Sequence, residues 1–326
     1  MNTFGQQFRL SIWGESHGAQ VGITLDGIPA GIPLTAADFS TDLNRRKSGA
    51  VGTTPRQESD CPQFLSGIYA DHTTGAPLTI AFTNEATQSA DYPAAGAQFR
   101  PSHADQTAFL KYNGYNDPRG GGHFSGRLTV ALTAAGVVAK KLLPKFSFQT
   151  QITEIGGCTD PAQFESCIAA ATAAHDSVGG IVECRVKGIE AGLGEPFFDS
   201  VEGLLSHLLF SIPGVKGVEF GDGFGAAHLR GSQHNDAIIN ALGTTVSNHA
   251  GGMVGGITNS NELILRAAFK PTPSIAQEQI TFDPNTGSLS PLTIRGRHDV
   301  CIALRGAVVV EAATAIALAD LLLRRH

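Results

Sequence analysis

Gly14-Glu15-Ser16-His17-Gly18 sets a histidine between two glycines, after one apolar alternation (Phe8, Leu10, Ile12) and before another (Val21, Ile23, Leu25). The glycines let the chain turn sharply and let a reactant come close. An imidazole held there can give or take a proton near neutral pH, although a solvated turn histidine has the same local sequence. Arg100-Pro101-Ser102-His103-Ala104-Asp105 repeats the texture: Pro101 stiffens the loop, and Asp105 can orient or charge-stabilise the imidazole. The plain alternative is a polar loop with a local salt bridge. Asp117 to Arg127 combines Arg119 and Arg127 with a run of three glycines, Gly120 to Gly122, then His123, Phe124 and Ser125. Guanidinium groups grip phosphate or carboxylate in a bidentate way, so this segment reads as an anion site. It is neither a Walker A loop, since no Lys-Ser/Thr follows the glycines, nor a GxGxxG dinucleotide fingerprint.

Further along, Asn248 to Asn259 is a second glycine-rich loop, and Lys270-Pro271-Thr272-Pro273-Ser274 puts an amine and two hydroxyls on a proline-stiffened segment suited to a phosphate or a planar ring. Arg297-His298-Asp299 offers a proton acceptor, with a structural Arg297–Asp299 ion pair as the competing reading. No HExxH or similar spacing marks a metal site, and there is no GxSxG elbow.

The elements that must position these groups follow from periodicity. Strands are expected over 8–13, 20–26, 78–83, 147–155, 215–220 and 262–268, and a helix from Thr35, where Asp38 completes a capping pattern, to Arg46. Residues 47–60 read as a loop, and 85–111 as a long loop that serves a site. The Ala-rich stretch Ser125–Leu143, ended by Pro144, predicts a helix with the glycine run at its N-terminus, where free N–H groups favour anions. Further helices are expected over 201–211 and within 302–325. Residues 21–35 and 180–200 echo each other (strand, Gly-Ile turn, Ala-Gly turn, approach to a helix), which suggests an internal duplication. With no linker to divide it, the chain reads as one α+β domain over 1–326, with an apolar helical layer.

The 23 Lys and Arg against 29 Asp and Glu, net −6, argue against nucleic-acid binding through bulk charge. Five scattered cysteines without a CxxC pair point to a reducing compartment and no structural zinc. The N-terminus has no signal-peptide pattern, and the apolar stretch 312–323, interrupted by Asp320, reads as too short to span a membrane. The expected location is the cytoplasm.

GQQFRLSIWGESHG, DGIPAGIPLT, DLNRRKSG, TTPRQESD, SGIYADHTTGAPL, RPSHAD, KYNGYNDPRGGG, GVKGVEFGDGF, SNHAGGMVGGITN, KPTPSI and GRHDVC, in this order, make the chain resemble the chorismate synthase family over nearly its whole length. The resemblance implies a β-α-β sandwich with a central helical layer, a homotetramer, and a redox-neutral 1,4-anti elimination of phosphate from 5-enolpyruvylshikimate 3-phosphate that needs reduced FMN. It implies that His17 and His103 are the two active-site histidines, that His17 serves the reduced flavin or the departing phosphate, and that His103 keeps the flavin in its useful protonation state. Asp299 matches the aspartate that helps flavin N5 take the substrate proton. Flavin contacts fall on His123, Phe124, Ser125, Pro213, Gly214, Gly255, Lys270, Pro271, Thr272, Pro273, Ser274 and Arg297. Arg46 matches a position of NADP contact, and Arg45, Arg46, Arg119 and Arg127 would meet the substrate's phosphate and carboxylates. NADPH is implied only as a means of reducing the flavin; most bacterial-type members depend on an outside supply, such as a separate flavin reductase.

Several positions depart from the family pattern. RGGGRSSARET is here RGGGHFSGRLT, so His123 replaces an arginine that faces flavin and Phe124 replaces a serine. Gly52 occupies a usually basic position, and RPGHAD and RHDPC appear as RPSHAD and RHDVC. Two other function classes remain open at this level: a flavin-independent phosphohydrolase, which would release phosphate from many monoesters, and a non-catalytic anion-binding protein on the same fold.

Overall fold

The computed structural model describes residues 1–86, 98–294, 296 and 298–325. Two antiparallel sheets are built from strands whose inward positions are apolar. In the first, Thr3–Phe4, Arg9–Gly14, Gln20–Asp26, Leu78–Thr83 and Gln63–Ser66 lie side by side in that order. In the second the order is Ser147–Ile155, Gly180–Lys187, Leu263–Phe269 and Val215–Phe220. Strand 263–269 shows the period of two plainly: Leu263, Leu265, Ala267 and Phe269 are buried and the residues between them are not.

Two long helices fill the space between the sheets. Helix Thr129–Leu142 packs on the first sheet and helix Ala303–Arg324 on the second, and the two pack on each other. Their approach is close: a Cβ on Gly136 would lie 2.4 Å from the Ala312 Cβ, so only glycine fits at that crossing. One continuous apolar core runs through both halves, giving the expected β-α-β sandwich.

Helix Ala303–Arg324 corrects the expectation that the C-terminal apolar stretch is too short to cross a membrane. At 22 residues with a mean hydropathy of 1.9 it meets the length and composition of a span, but 83% of its apolar window is buried inside the protein. It is apolar all round because it is enclosed by protein. Its two acids are both paired. Glu311 meets Arg45 and Lys140. Asp320 accepts the N–H groups of Gln6, Gln7 and Phe8 at 3.0, 2.7 and 2.9 Å and pairs with Arg324, fastening the N-terminus to the central layer.

The duplication is visible in the topology. Apart from the edge strand Thr3–Phe4, each sheet places its strands, numbered along the chain, in the spatial order first, second, fourth, third. In each half a shorter helix follows the second strand, Ser40–Arg46 or Val201–Ser211, and a core helix follows the fourth. The paired turns Gly27/Gly31 and Gly188/Gly192 all have positive φ, between 82° and 94°.

Most boundaries fall within a residue or two of expectation. The helix expected over 125–143 starts at Thr129, after a 3-10 turn over Gly126–Leu128 that Ser125 caps. The helix expected from Thr35 to Arg46 divides into a 3-10 turn, Ala36–Phe39, and an α-helix, Ser40–Arg46; the Asp38 carboxylate accepts the Thr35 N–H at 2.8 Å. Strand Gln63–Ser66, helix Asp105–Lys111, helix Phe164–Ala173 and the hairpin Gln279–Asp283/Ser288–Leu292 were not expected. Of the long loop read over 85–111, residues 87–97 lie outside the described residues.

Candidate active site

A cavity of about 700 Å3 opens between the two halves. The first half lines it with Arg46, Thr54, Arg56, Asp60, Arg100, His103 and the segment 123–129; the second half contributes 213–216, Lys270, Thr272 to Ser274, Asp299 and Arg305. The volume is in the range of sites that enclose a cofactor-sized ligand.

The turn carrying His17 is held on several sides. Asn84 Nδ2 donates to the carbonyls of Glu15 and Gly18 at 3.0 and 2.8 Å. Arg56 donates to Ser16 Oγ at 3.2 Å, and the Ser16 N–H donates to the Gly122 carbonyl at 3.1 Å. His123 Nδ1 donates to the Gly14 carbonyl at 2.7 Å. His123 therefore ties the glycine-rich segment to the histidine turn while also lining the cavity. This gives the departure from arginine a structural role.

The glycine run does not form an anion cradle at a helix N-terminus. Gly120, Gly121 and Gly122 all have positive φ (59°, 85° and 52°), and the core helix begins only at Thr129. A Cβ on Gly120 would lie 2.1 Å from His17 Cε1, and one on Gly121 would lie 3.1 Å from His103 Cε1. Gly120 and Gly121 carry no side chain because two imidazoles occupy that space, and at Gly122 the Asp117 carbonyl does. His17 is 8% exposed and sits behind Gly120, which lines the cavity; His103 is in the lining itself.

Burial lowers the pKa of His17, and the positive charges of Arg56 and Arg119 lower it further. Its imidazole is thus biased toward the neutral form while no anion is bound. His103 Nδ1 is 2.9 Å from Asp105 Oδ1. Arg100 grips the same carboxylate with Nε and Nη2 at 2.7 and 2.8 Å. Burial works against the charge on Asp105, but Arg100 and His103 prevail and hold it well below the usual carboxylate range. The Arg100–Asp105 ion pair and the orientation of His103 thus coexist, and a choice between them is not needed.

Asp299, across the cavity, accepts the Thr54 N–H at 2.8 Å and pairs with Arg305 at 3.1 Å. Arg305 also donates to the Arg46 carbonyl at 2.8 Å. Arg297, the partner and flavin contact expected from the sequence, lies outside the described residues, as does Arg295.

The arginines expected to meet substrate separate into distinct roles. Arg46 and Arg127 are buried and share Asp60. Arg127 also donates to Asn84 Oδ1 at 2.9 Å. Burial pushes the Arg46 guanidinium down to about 10, against the opposing pull of Asp60. Burial opposes the charge on Asp60, yet the two guanidiniums keep its carboxyl below the ordinary range. Arg45 is outside the cavity lining, bidentate on Glu311 at 2.9 and 2.8 Å. Arg119 is largely exposed, paired with Asp117 at 2.8 Å, and also outside the lining.

Pro213, Gly214, Lys270, Thr272, Pro273 and Ser274 form one side of the cavity, and Phe124 and Ser125 stand in the lining contributed by the first half. Lys270 Nζ donates to the Ser102 carbonyl at 2.6 Å, joining this loop to the His103 loop. Burial and the nearby Lys216 lower its pKa. Phe124 is exposed and its ring centre is 6.3 Å from that of Tyr112. Pro271 and Gly255 are outside the lining; Gly255 turns the hairpin between Met253–Val254 and Ile257–Thr258. Gly52 is packed: a Cβ there would lie 2.5 Å from Ile168 Cγ2, so any side chain at this position would have to displace Ile168, and its φ of 85° adds backbone strain.

Sequence reading did not assign site roles to Arg56, Asp60, Glu58, Lys216, Arg305 and His207, all of which line the cavity. Among the described residues no group of His, Cys, Asp and Glu could hold a metal ion.

A model of the chorismate synthase family matches residues 8–323. The chain is 57% identical over 324 residues to the chorismate synthase of Chitinophaga pinensis, covering 99% of this chain and 97% of that one. It is 43% identical over 352 positions to that of Dehalococcoides mccartyi, covering 99% and 97%. A crystal structure of chorismate synthase superposes with a TM-score of 0.76 at 25% identity, covering 99% of this chain and 93% of that one.

Proposed function

The chain belongs to the chorismate synthase family, and from that premise we propose how its cavity carries out the family's reaction. The protein is a lyase of the shikimate pathway and of aromatic amino-acid biosynthesis. It acts on a small molecule, 5-enolpyruvylshikimate 3-phosphate, and yields chorismate and phosphate. The observation that carries the mechanism is the cationic cavity with His103 on Asp105 at one wall and Asp299 on Arg305 at another.

The residues present fit reduced FMN. The cavity is large enough, Lys270 with Thr272 and Ser274 can hold a phosphate, and Phe124 and Pro213 give apolar contact for a ring system. When bound, the reduced flavin supplies electron density for cleavage of the C–O bond to phosphate and recovers it as the product forms.

The protein's share is position and charge. Arg56 and Arg100 stand in the lining with their geometry fixed by Glu58 and Asp105, so they need little reorganisation to neutralise a departing phosphate. Each well-placed donor of this kind contributes about 3 kcal/mol at a transition state. Arg46 and Arg127, held against Asp60, form a fixed buried positive layer behind them. His103, held through Nδ1 by Asp105, keeps its Nε2 available to the cavity for proton exchange. Asp299 is fixed at the cavity wall by the Thr54 N–H and Arg305, placed for the proton-handling role of the family's aspartate. His17, behind Gly120, becomes a better proton holder once an anion offsets Arg56 and Arg119.

An anaerobic assay with 5-enolpyruvylshikimate 3-phosphate, with and without reduced FMN, tests this reading. Chorismate and phosphate are expected in equal amounts and only with flavin. Phosphate without chorismate would mean a phosphohydrolase, and binding without turnover a non-catalytic protein; no structural observation favours either.

The supply of reduced flavin, the assembly and the location belong to the same proposal. Arg46 is committed to Asp60 and Gly52 offers no basic side chain, which supports reduction by an outside flavin reductase rather than by NADPH bound here. Phe224, Ile238, Ile239, Leu242 and Val246 are exposed along one excursion of the chain, a surface suited to burial in a homotetramer. Sedimentation would report that assembly. Five free cysteines suit the cytoplasm.

A further inference from the structure

Lys216 lines the cavity on the second half's wall. It belongs to strand Val215–Phe220, but the pairing of that strand with Leu263–Phe269 skips it. Val215 pairs with Phe269 and Gly217 with Ala268, so Lys216 is the extra residue of a β-bulge. A bulge re-aims the side chain it carries, and Lys216 is an exposed member of the lining. Lys270 follows Phe269 on the neighbouring strand. Its N–H donates to the Gly214 carbonyl at 2.9 Å and its ammonium to the Ser102 carbonyl, a neutral acceptor, at 2.6 Å. Each lysine is thus one residue from the Val215–Phe269 couple, on adjacent strands, and four-carbon stems let both ammoniums reach one ligand.

Their charges are not offset. The carboxylates in the lining, Glu58, Asp60 and Asp299, are each taken by arginines. Among the described residues the lysine ion pairs belong to Lys140, Lys141, Lys145 and Lys187, and neither Lys216 nor Lys270 has one. Two residues past Lys270, Thr272 is 9% exposed, and its Oγ1 is buried with no hydrogen-bond partner among the described residues. It stands in the same wall. Two ammoniums and an idle hydroxyl suit a dianionic group rich in oxygen.

We infer that Lys216 makes the cavity selective for a flavin that carries a terminal phosphate: its ammonium, aimed by the bulge, completes a phosphate site with Lys270 and Thr272. The inference rests on the flavin reading above and adds a specificity residue to it. Arg56 and Arg100 stand on the first half's wall, held by Glu58 and Asp105, so the substrate's phosphate and the flavin's phosphate have separate cations. Lys216 meets the phosphate and not the ring, and therefore sets flavin affinity rather than the elimination step.

Oxidised FMN and riboflavin, which differ only in that phosphate, are titrated separately into the full chain and followed by flavin fluorescence. The parent is expected to bind FMN more tightly than riboflavin. Lys216→Gln should weaken FMN about 10-fold and leave riboflavin unchanged. Lys216→Arg should keep most of the FMN affinity, and Lys145→Gln, which removes the same charge outside the lining, should match the parent. Added salt should narrow the parent's preference for FMN more than that of Lys216→Gln. If Lys216→Gln binds FMN as the parent does, or loses FMN and riboflavin equally, the inference falls and the flavin reading stands. A loss confined to 5-enolpyruvylshikimate 3-phosphate, titrated by calorimetry, would put the substrate's phosphate there and overturn the inference as well. A parent that binds neither flavin would overturn the flavin reading itself, and this inference with it.

Discussion

Replacing Gly120 by alanine tests the placement of the histidines directly. The new Cβ would lie 2.1 Å from His17 Cε1 and 2.2 Å from His17 Nδ1. Ordinary contact begins near 3.4 Å, so the ring or the loop must move by more than an ångström. A misplacement of about 1 Å can cost about 10²-fold in rate. The backbone adds a smaller penalty, because φ is 59° at Gly120 and a left-handed conformation costs a non-glycine residue about 1–2 kcal/mol. Gly120→Ala is therefore expected to keep its fold, with a modestly lower Tm, and to lose about 10²-fold in kcat. The assay is anaerobic chorismate formation with saturating reduced FMN, with thermal unfolding measured on the same sample. Two neighbours calibrate the result. Gly126→Ala meets nothing within 4 Å and has no positive φ, so its rate should match the parent. Gly122→Ala would put a Cβ 2.2 Å from the Asp117 carbonyl oxygen, a backbone clash that should lower stability as well as rate. Parental kcat in Gly120→Ala would refute the claim that the glycine makes room for a ring the reaction needs.

Other groups give further outcomes. Because burial, Arg56 and Arg119 lower the pKa of His17, binding of the anionic substrate should draw in a proton near neutral pH; calorimetry in buffers of different ionisation enthalpy reads that uptake, and its absence would count against the proton-holding role. Asp105→Asn removes the carboxylate on His103 Nδ1 and should lower kcat by about 10²-fold with little change in KM. Asp60→Ala leaves the buried guanidiniums of Arg46 and Arg127 without their shared partner and should destabilise the fold by about 3–5 kcal/mol in denaturant titration. Glu311, held down to about 2 from 4.5 by Arg45 and Lys140 against burial, contributes stability that is fully present above pH 4.5 and lost as pH falls toward 2. Glu311→Gln should therefore be less stable than the parent at neutral pH and show a shallower acid limb.

The sequence disclosed the strands and core helices because each has one wet and one dry face, or none wet, and its residue period shows which. Strand 20–26 and helix 201–211 have the expected limits for that reason. Strand Gln63–Ser66 was missed because it has four residues and mostly exposed side chains, leaving no alternation to read. Helix Phe164–Ala173 buries only Ile168 and Ala171, too few for a stripe. Site residues were legible as types but not as partners. RGGG looked like an anion cradle because glycine next to arginine has that meaning near a helix start; the two imidazoles that fill the space come from segments about 20 and 100 residues away, and no local pattern encodes them. Arg45 and Arg46 are neighbours in sequence and part company in space: successive helix positions point about 100° apart, one toward Glu311 and the other toward Asp60.

The duplication explains where the cavity is and why its chemistry is uneven. In both halves the connection from fourth strand to core helix enters the cleft: His103 and the glycine run in the first half, Lys270 to Ser274 and Asp299 in the second. Two equivalent connections thus meet across the central layer, giving a concave site between the sheets. The connections from first to second strand differ. The second half spends this stretch on helix Phe164–Ala173, which supports Gly52 from outside, whereas the first half contracts it to the turn Glu15–Ala19 and its histidine. The short turn sets the His17 ring directly behind the cavity wall, in space that is free only because Gly120 carries no side chain. The short turn and the side-chain-free run are therefore sterically coupled. Lengthening the histidine turn should lose activity even with His17 retained, and restoring side chains at 120–122 should do the same from the other side.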